Sequence, residues 1–144
     1  IAGNNTGSGT AGAIIFQVAG ATEVGRFVKS GGLQSQRTVT ANTTTPITVT
    51  TTQSRVCFTN EGAAGEVNHS LPGAAAGLEY VFIIQAAQTL RVTAAAGDTI
   101  RLAGSVSAAA GNIAAATIGN VVILLAINVT EWVALSVGGT WTVT

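Results

Sequence analysis

The side chains of this sequence best equipped for acid–base, nucleophilic or metal chemistry are one histidine, one cysteine and six carboxylates. The histidine, His69, alternates along one face with Val67 and Leu71. A histidine on the inward face of a strand is ordinarily a hydrogen-bonded core residue. One chain holds no second histidine for a zinc set, so only a three-fold axis could gather three copies of His69 around an ion. A Ser-His-acid triad lacks its nucleophile signature, because G-x-S-x-G is absent. Cys57 lies in the strand-like Ser54-Arg55-Val56-Cys57-Phe58-Thr59 with no activating neighbour in sequence, and reads as a small buried hydrophobe. The carboxylates are Glu23, Glu61, Glu66, Glu79, Asp98 and Glu131. Glycoside cleavage needs two of them at a set separation. Glu61 and Glu66 flank one turn, which ordinarily means a solvated turn, and an intersubunit pair is the other way to assemble such a site. Gly7-Ser8-Gly9-Thr10-Ala11-Gly12 matches G-x-G-x-x-G, but no strand precedes it and no helix follows to seat a pyrophosphate. The expectation is a chain that is not an enzyme, with no catalytic, cofactor-binding or metal-binding residues.

Composition narrows the classes further. Asp, Glu, Lys and Arg make up 8% of the 144 residues, against roughly 25% in ordinary domains. Hydrophobic residues are 47% and the formal net charge is zero. A surface this poor in charge is either neutral and rich in Thr, Ser, Asn and Gly, or is covered by other subunits. The six basic residues, Arg26, Lys29, Arg37, Arg55, Arg91 and Arg101, form no stripe, which argues against nucleic acid. The longest apolar run, Val121 to Ile127, is far short of the roughly 20 residues of a membrane helix, so no membrane insertion is expected. A single cysteine excludes an intrachain disulfide scaffold. The chain opens on Ile1 and has no methionine, which points to a processed chain or a segment of a longer one.

The elements that must carry these residues read as short strands. Residues 1–12 are a Gly-rich lead. Two β-rich runs, Ala13 to Ala19 and Glu23 to Lys29, surround a short turn and predict a hairpin. A lone hairpin is marginal in water, so its apolar residues Ile15, Phe16, Val18 and Phe27 are the candidates for packing on a neighbouring subunit. From residue 38 onward polar and apolar residues alternate in many short runs separated by turn signals. The Ala-rich stretch 108–116 is interrupted by Gly111-Asn112 and reads as strand and turn rather than helix. Val121 to Ile127 is apolar on both faces and predicts a central strand covered on both sides. Trp132 to Val137 and Thr140 to Thr144 read as a final hairpin. No exact internal repeat is visible. The fold expected is all-β: an antiparallel β-sandwich or jelly-roll-like domain over 38–144 with an N-terminal β-hairpin extension over 1–37.

Residues 57–144 also resemble a β-rich module of bacteriophage virion structural proteins. The resemblance lies in the order of Phe58-Thr59-Asn60-Glu61-Gly62, Leu71-Pro72, Ala76-Gly77-Leu78-Glu79-Tyr80-Val81-Phe82, Gln85-Ala86-Ala87-Gln88-Thr89-Leu90-Arg91-Val92, Ala96-Gly97-Asp98-Thr99-Ile100, Glu131-Trp132-Val133 and Gly139-Thr140-Trp141. The first 37 residues look like the short Ile-Phe-x-Val-x-Gly-x-x-Glu-x-Gly-Arg-Phe units of phage fibre-like proteins. Such proteins are parts of tail fibres, tailspikes, head fibres and capsid decorations. The resemblance implies a homo-oligomer, often a trimer, that lies in the virion outside cells, with other virion proteins and a host-surface glycan as partners. It carries no cofactor and no catalytic set. The competing readings are a bacterial extracellular filament or surface-layer subunit, and a glycan-binding or glycan-cleaving fibre tip.

Overall fold

The computed structural model describes residues 36–144 and, upstream, the backbone of three short strands. The chain divides into two compact units, Ile1–Gln36 and Arg37–Thr144. In the first unit, β1 (Ile14–Phe16), β2 (Gly25–Phe27) and β3 (Leu33–Gln34) form an antiparallel sheet in that order. Ile14 stands opposite Phe27, as a hairpin requires, and β3 adds a strand that the sequence pattern did not announce. Val18 and the side chains of Ile15, Phe16 and Phe27, the residues expected to pack on a neighbour, lie outside the described residues.

The second unit is all-β. Its strands are β4 (Val39–Ala41), β5 (Ile47–Thr48), β6 (Cys57–Thr59), β7 (Val67–Ser70), β8 (Glu79–Ile83), β9 (Leu90–Thr93), β10 (Thr99–Leu102), β11 (Ser105–Val106), β12 (Asn112–Ala115), β13 (Val121–Ala126), β14 (Glu131–Gly138) and β15 (Thr142–Val143). Residues 108–116 form the turn and strand expected of them. One 3-10 turn, Thr51–Gln53, is held by the Gln53 side chain accepting from the Thr50 N–H at 2.9 Å. The strands make a seven-stranded sheet, β11-β10-β14-β13-β8-β6-β4, and a five-stranded sheet, β15-β12-β9-β7-β5.

Both sheets are mixed, which corrects the expectation of antiparallel strands. From β4 to β9 the chain changes sheet at every strand, so neighbours within a sheet lie one winding apart and run parallel. A jelly roll is built from antiparallel strands; here β4–β6, β6–β8, β5–β7, β7–β9 and β10–β14 are all parallel. Parallel neighbours need a crossover. Here the crossover is a strand of the opposite sheet, so no helical segment betrays it in the sequence. The windings are also unequal. Val39 pairs with Cys57 and Cys57 with Val81, steps of 18 and 24 residues, while Ile47 to His69 to Val92 takes 22 and 23. Unequal windings leave no period to find. The second half returns antiparallel strands to these ladders: β13 on β8, β12 on β9 and β15 on β12. The expected final hairpin does not form, because β14 and β15 lie in different sheets. Between them Gly139 adopts φ +77°, and the Asn120 side chain, which donates to the Thr140 carbonyl at 2.9 Å, occupies the space a Cβ at Gly139 would need.

The two sheets face each other across one core. Phe58, Tyr80, Phe82, Ile100, Val122, Leu124 and Trp132 point in from the larger sheet, and Val67, His69, Leu90, Val92 and Ile113 from the smaller; all are fully buried. Period-two burial along β7, β9 and β13 is the direct consequence of strand geometry. The Phe58 and Phe82 rings stack at 5.5 Å, and the His69 ring from the other sheet meets them at 5.4 and 5.3 Å.

Links between windings are tied down by buried side chains. Asn60, fully buried just after β6, donates from Nδ2 to the carbonyls of Ala86 and Gln88 at 3.1 and 3.0 Å. Its Oδ1 accepts from the N–H groups of Gln85 and Ala86 at 2.7 and 3.0 Å. The amide's full capacity is used, and it substitutes for a strand along the β8–β9 link. Asn60→Ala strands these backbone groups away from water and is expected to destabilise the domain by about 3 kcal/mol. Asn60→Asp is expected to be comparably harmful, because it turns a carboxylate oxygen toward two carbonyls. Urea unfolding at neutral pH should show a lower midpoint at unchanged slope for both variants.

Candidate functional site

The structure disperses the residues singled out for chemistry and gives most of them a structural partner. His69 sits on β7 inside the core, with no exposed surface. Its Nε2 lies 3.1 Å from Asn42 Oδ1, an acceptor, so Nε2 carries the proton and donates. Nδ1, the lone-pair nitrogen of that tautomer, has no hydrogen-bond partner. Burial lowers the pKa to about 4, with the nearby Arg91 backbone pulling weakly the other way. A ring enclosed by Phe58, Phe82 and Asn42 cannot reach a symmetry axis, which removes the three-copy ion site. Among the described residues no group of three His, Cys, Asp or Glu is placed to hold a metal.

Cys57 is buried, and burial pushes its thiol up against a smaller opposing influence of Arg37. A thiol held protonated is a poor nucleophile. Glu66 does not face a second carboxylate. Arg91 grips it bidentately at 2.9 and 3.1 Å and also donates to Asn112 Oδ1 at 2.7 Å. The Arg91 hydrogen bonds hold the Glu66 carboxyl below its usual range, the opposite of what a general acid needs. Glu61 is exposed on the turn after β6. Glu79 pairs with Arg37 at 3.0 Å and Glu131 with Arg101 at 2.7 Å. Asp98 is buried and accepts from the Ala74 N–H at 2.7 Å. Glu23 and the Gly7–Gly12 motif lie outside the described residues.

Among the described residues the aromatic faces, the usual platform for a sugar ring, are consumed by the core. Phe58, Tyr80, Phe82, Trp132 and Trp141 are all buried, and Tyr80 uses its hydroxyl on the Thr50 carbonyl at 2.9 Å.

What remains is the pair of outer sheet faces, and they differ sharply. Directly paired residues share a face. On the five-stranded sheet the register places Thr48, Ser70, Asn68, Thr93, Arg91, Asn112 and Thr142 outward. This face is polar and satisfies itself: Thr93 Oγ1 donates to Asn68 Oδ1 at 2.8 Å beside the Glu66–Arg91–Asn112 network. On the seven-stranded sheet the outward rows are Val39–Cys57–Val81–Ile123–Ser136, Glu79–Leu125–Val133–Arg101–Val106, Ala41–Thr59–Ile83–Val121–Gly138 and Glu131–Thr99. Glu79, Arg101 and Glu131 are the charged residues of these rows, and each is ion-paired within the chain. Cys57, Thr59 and Val81 are buried, Val121, Ile123, Leu125 and Val133 are half-buried, and Val39 and Val106 are 65% and 42% exposed. The sequence correctly places β13 in the middle of its sheet; its inner face is covered by the core, whereas its outer face stays partly open. A register shift between Ile123 and Leu124 in the β13–β14 ladder leaves Leu135, 56% exposed, without a partner and breaks the alternation of β14 there. No protein-family model matches this chain, and no curated protein does either.

His69 makes stability depend on pH. Its ordinary value is 6.5 and its folded value about 4, so between these the unfolded chain binds the extra proton and the folded chain does not. Stability therefore falls as pH drops from 6.5 to 4 and is unaffected by this group above that window. The difference is worth about 3 kcal/mol. Unfolding midpoints followed across the window should decline for the native chain. His69→Gln, which keeps a donor for Asn42 but does not titrate, should flatten the decline.

Proposed function

We propose that this chain is a structural subunit that assembles with copies of itself. On the resemblance of residues 57–144, that assembly is a component of a bacteriophage virion: a fibre, tailspike or capsid decoration. The carrying observation is the seven-stranded sheet, apolar on its outer as well as its inner face. In a free-standing two-sheet domain the outer faces are normally solvated, and the five-stranded sheet meets that description. A second apolar face fits a protein whose larger sheet is covered in its working state. The low charge content supports the same reading.

In this reading the two facing sheets form a β-sandwich, the oligomer is a trimer, other virion proteins are its neighbours, and its place is extracellular. A host-surface glycan would be met on the polar outer face by hydrogen bonding, since the described aromatic residues are buried. A part that works outside cells gains from kinetic stability, and covering sheet surface and sheet edges contributes to it. A second reading, the extracellular filament, has one observation in its favour. The edge strands β4 and β5 end both sheets on the same side of the winding, an arrangement open to end-to-end stacking. Electron microscopy separates the two: closed particles support the first and open fibrils the second.

Light scattering at micromolar concentration should return a multiple of the 14.3 kDa chain mass, three-fold for the trimer. A stable monomer under these conditions would sink the proposal.

A further inference from the structure

We infer that residues 37–48, the outermost winding of the second unit, form a strap that acid releases from the rest of the domain, with His69 beneath it as the trigger. The strap carries β4 and β5, so it closes one edge of each sheet at once. Its release uncovers the edges of β6 and β7 together. The device belongs to the single chain and needs no assembly.

The strap is loosely held. Within 37–48 no residue is buried, and only Thr40, Asn42 and Ile47 are half-buried, whereas β6 beside it is buried throughout. A segment with so little buried surface opens at a fraction of the free energy of global unfolding. On the β6 side the Asn42 N–H donates to the Thr59 carbonyl at 2.8 Å, and the Cys57 N–H to the Thr38 carbonyl at 2.9 Å. On the β7 side the Asn68 N–H donates to Thr45 Oγ1 at 3.1 Å. Arg37 pairs with Glu79 at the surface at 3.0 Å, a kind of pair that contributes little. The side-chain tie that reaches the core is His69 Nε2 donating to Asn42 Oδ1 at 3.1 Å. Firm packing begins at Val49, which is buried and donates from its N–H to the Ser70 carbonyl at 2.9 Å.

His69 is sealed by this strap. Ile47 is its direct neighbour in the smaller sheet, and Thr40 is the neighbour of Phe58 in the larger. Paired residues share a face, so Ile47 and Thr40 lie inward over the layer that His69 and Phe58 form. With the strap gone, that layer meets water. With the strap in place, the ring lies among Phe58 from β6, Phe82 from β8, Val92 from β9, and Asn42 and Ile47 from the strap. None of these side chains titrates or carries charge. Arg91, also on β9, turns its guanidinium to the outer face and spends it on Glu66 and Asn112. A proton on Nδ1 adds a donor with no acceptor and a charge with no partner, a cost that hydration removes. The sign follows. Burial sets the closed value at about 4, against 6.5 in water, so the open state binds the extra proton between them. Acid therefore favours release below 6.5, and the effect is complete below about 4.

Cys57 reports the opening. It is the one cysteine of the chain, is 5% exposed, and stands directly beside Val39 of the strap. A pyridyl disulfide labels thiols even in mild acid. Its rate on the full chain is divided by its rate on the urea-unfolded chain at the same pH. From pH 7 to pH 4.5 this ratio is expected to rise about 50-fold, which is what a shift from 6.5 to about 4 gives by linkage. The rise should be unchanged by urea well below the unfolding midpoint, and near-ultraviolet circular dichroism should show the core intact. His69→Gln is expected to hold the ratio within about 2-fold over the same range, because the trigger is gone. Asn42→Asp sets a carboxylate against Nε2, pairs with the charged ring and should remove most of the rise. It alters a half-buried position, and it decides the matter if His69→Gln does not fold. Glu79→Gln, which removes the surface pair, should keep the rise.

A flat ratio in the native chain overturns the inference. So does a rise that grows with urea in step with global unfolding, since the whole domain is then what opens. A rise of the native size in His69→Gln or Asn42→Asp overturns it as well, and so does loss of the rise in Glu79→Gln, which places the trigger at the ion pair.

Discussion

From β4 to β9 each strand delivers the chain to the opposite sheet, and most of the architecture follows from that crossing. A strand that leaves one sheet and returns after a full winding arrives in the same direction, so its neighbours are parallel. Each winding supplies inward residues to both sheets at once. Phe58 and Phe82 arrive on successive windings in one sheet, and His69 arrives between them in the other. The core is therefore layered along the winding, each turn adding residues to both sheets. The later strands β12, β13 and β15 close the ladders from the antiparallel side.

Crossing so often has a cost in hydrogen bonds. Every crossing link must leave one ladder and enter another, and its backbone groups are near the core when it does. Buried groups of this kind need partners. Asn60 serves four of them along the β8–β9 link, Asp98 serves Ala74 on the β7–β8 link, and Ser107 Oγ accepts from the Ile100 N–H at 2.9 Å. Asn120 holds the exit from β14 through the Thr140 carbonyl. Short polar side chains do this work, three of the four uncharged at any pH. A fold stapled in this way can be stable with few charged residues, so the low charge content is compatible with how the links are tied.

The strand content was legible in the sequence, as was the identity of much of the core, because alternation in Val67-Asn68-His69-Ser70 or Leu90-Arg91-Val92-Thr93 reports burial directly. The core placement of His69 and the burial of Cys57 were equally legible. Partner direction was not. Alternation says which side of a strand is wet but nothing about which strand lies beside it, and windings of 18, 24, 22 and 23 residues erase the regularity that would reveal a coil. Gly138-Gly139 looked like a hairpin turn because two glycines permit one. The structure uses Gly139 to change sheets, and only the position of Asn120 beside it, far off in sequence, decides between those uses. Arg91 as the partner of Glu66 was likewise beyond local reading, since the two meet only because β7 and β9 are adjacent.

The outer face of the larger sheet was half legible. The continuous run Val121 to Leu125 declares that both sides of β13 are apolar, but one apolar strand can be an isolated exception. What makes a surface is the agreement of neighbours in register: Ile123 beside Val81, Leu125 beside Val133, Val121 beside Ile83. None of these pairings is written in any one segment, and each segment read alone, such as Val81 within Tyr80-Val81-Phe82, is as consistent with an ordinary buried strand. The two sheets have the same alternation and the same core, yet one turns threonine and asparagine outward while the other turns valine, isoleucine and leucine. This difference between the outer faces is not dictated by the alternation or the core that the two sheets share. It is on this difference that the proposed assembly rests.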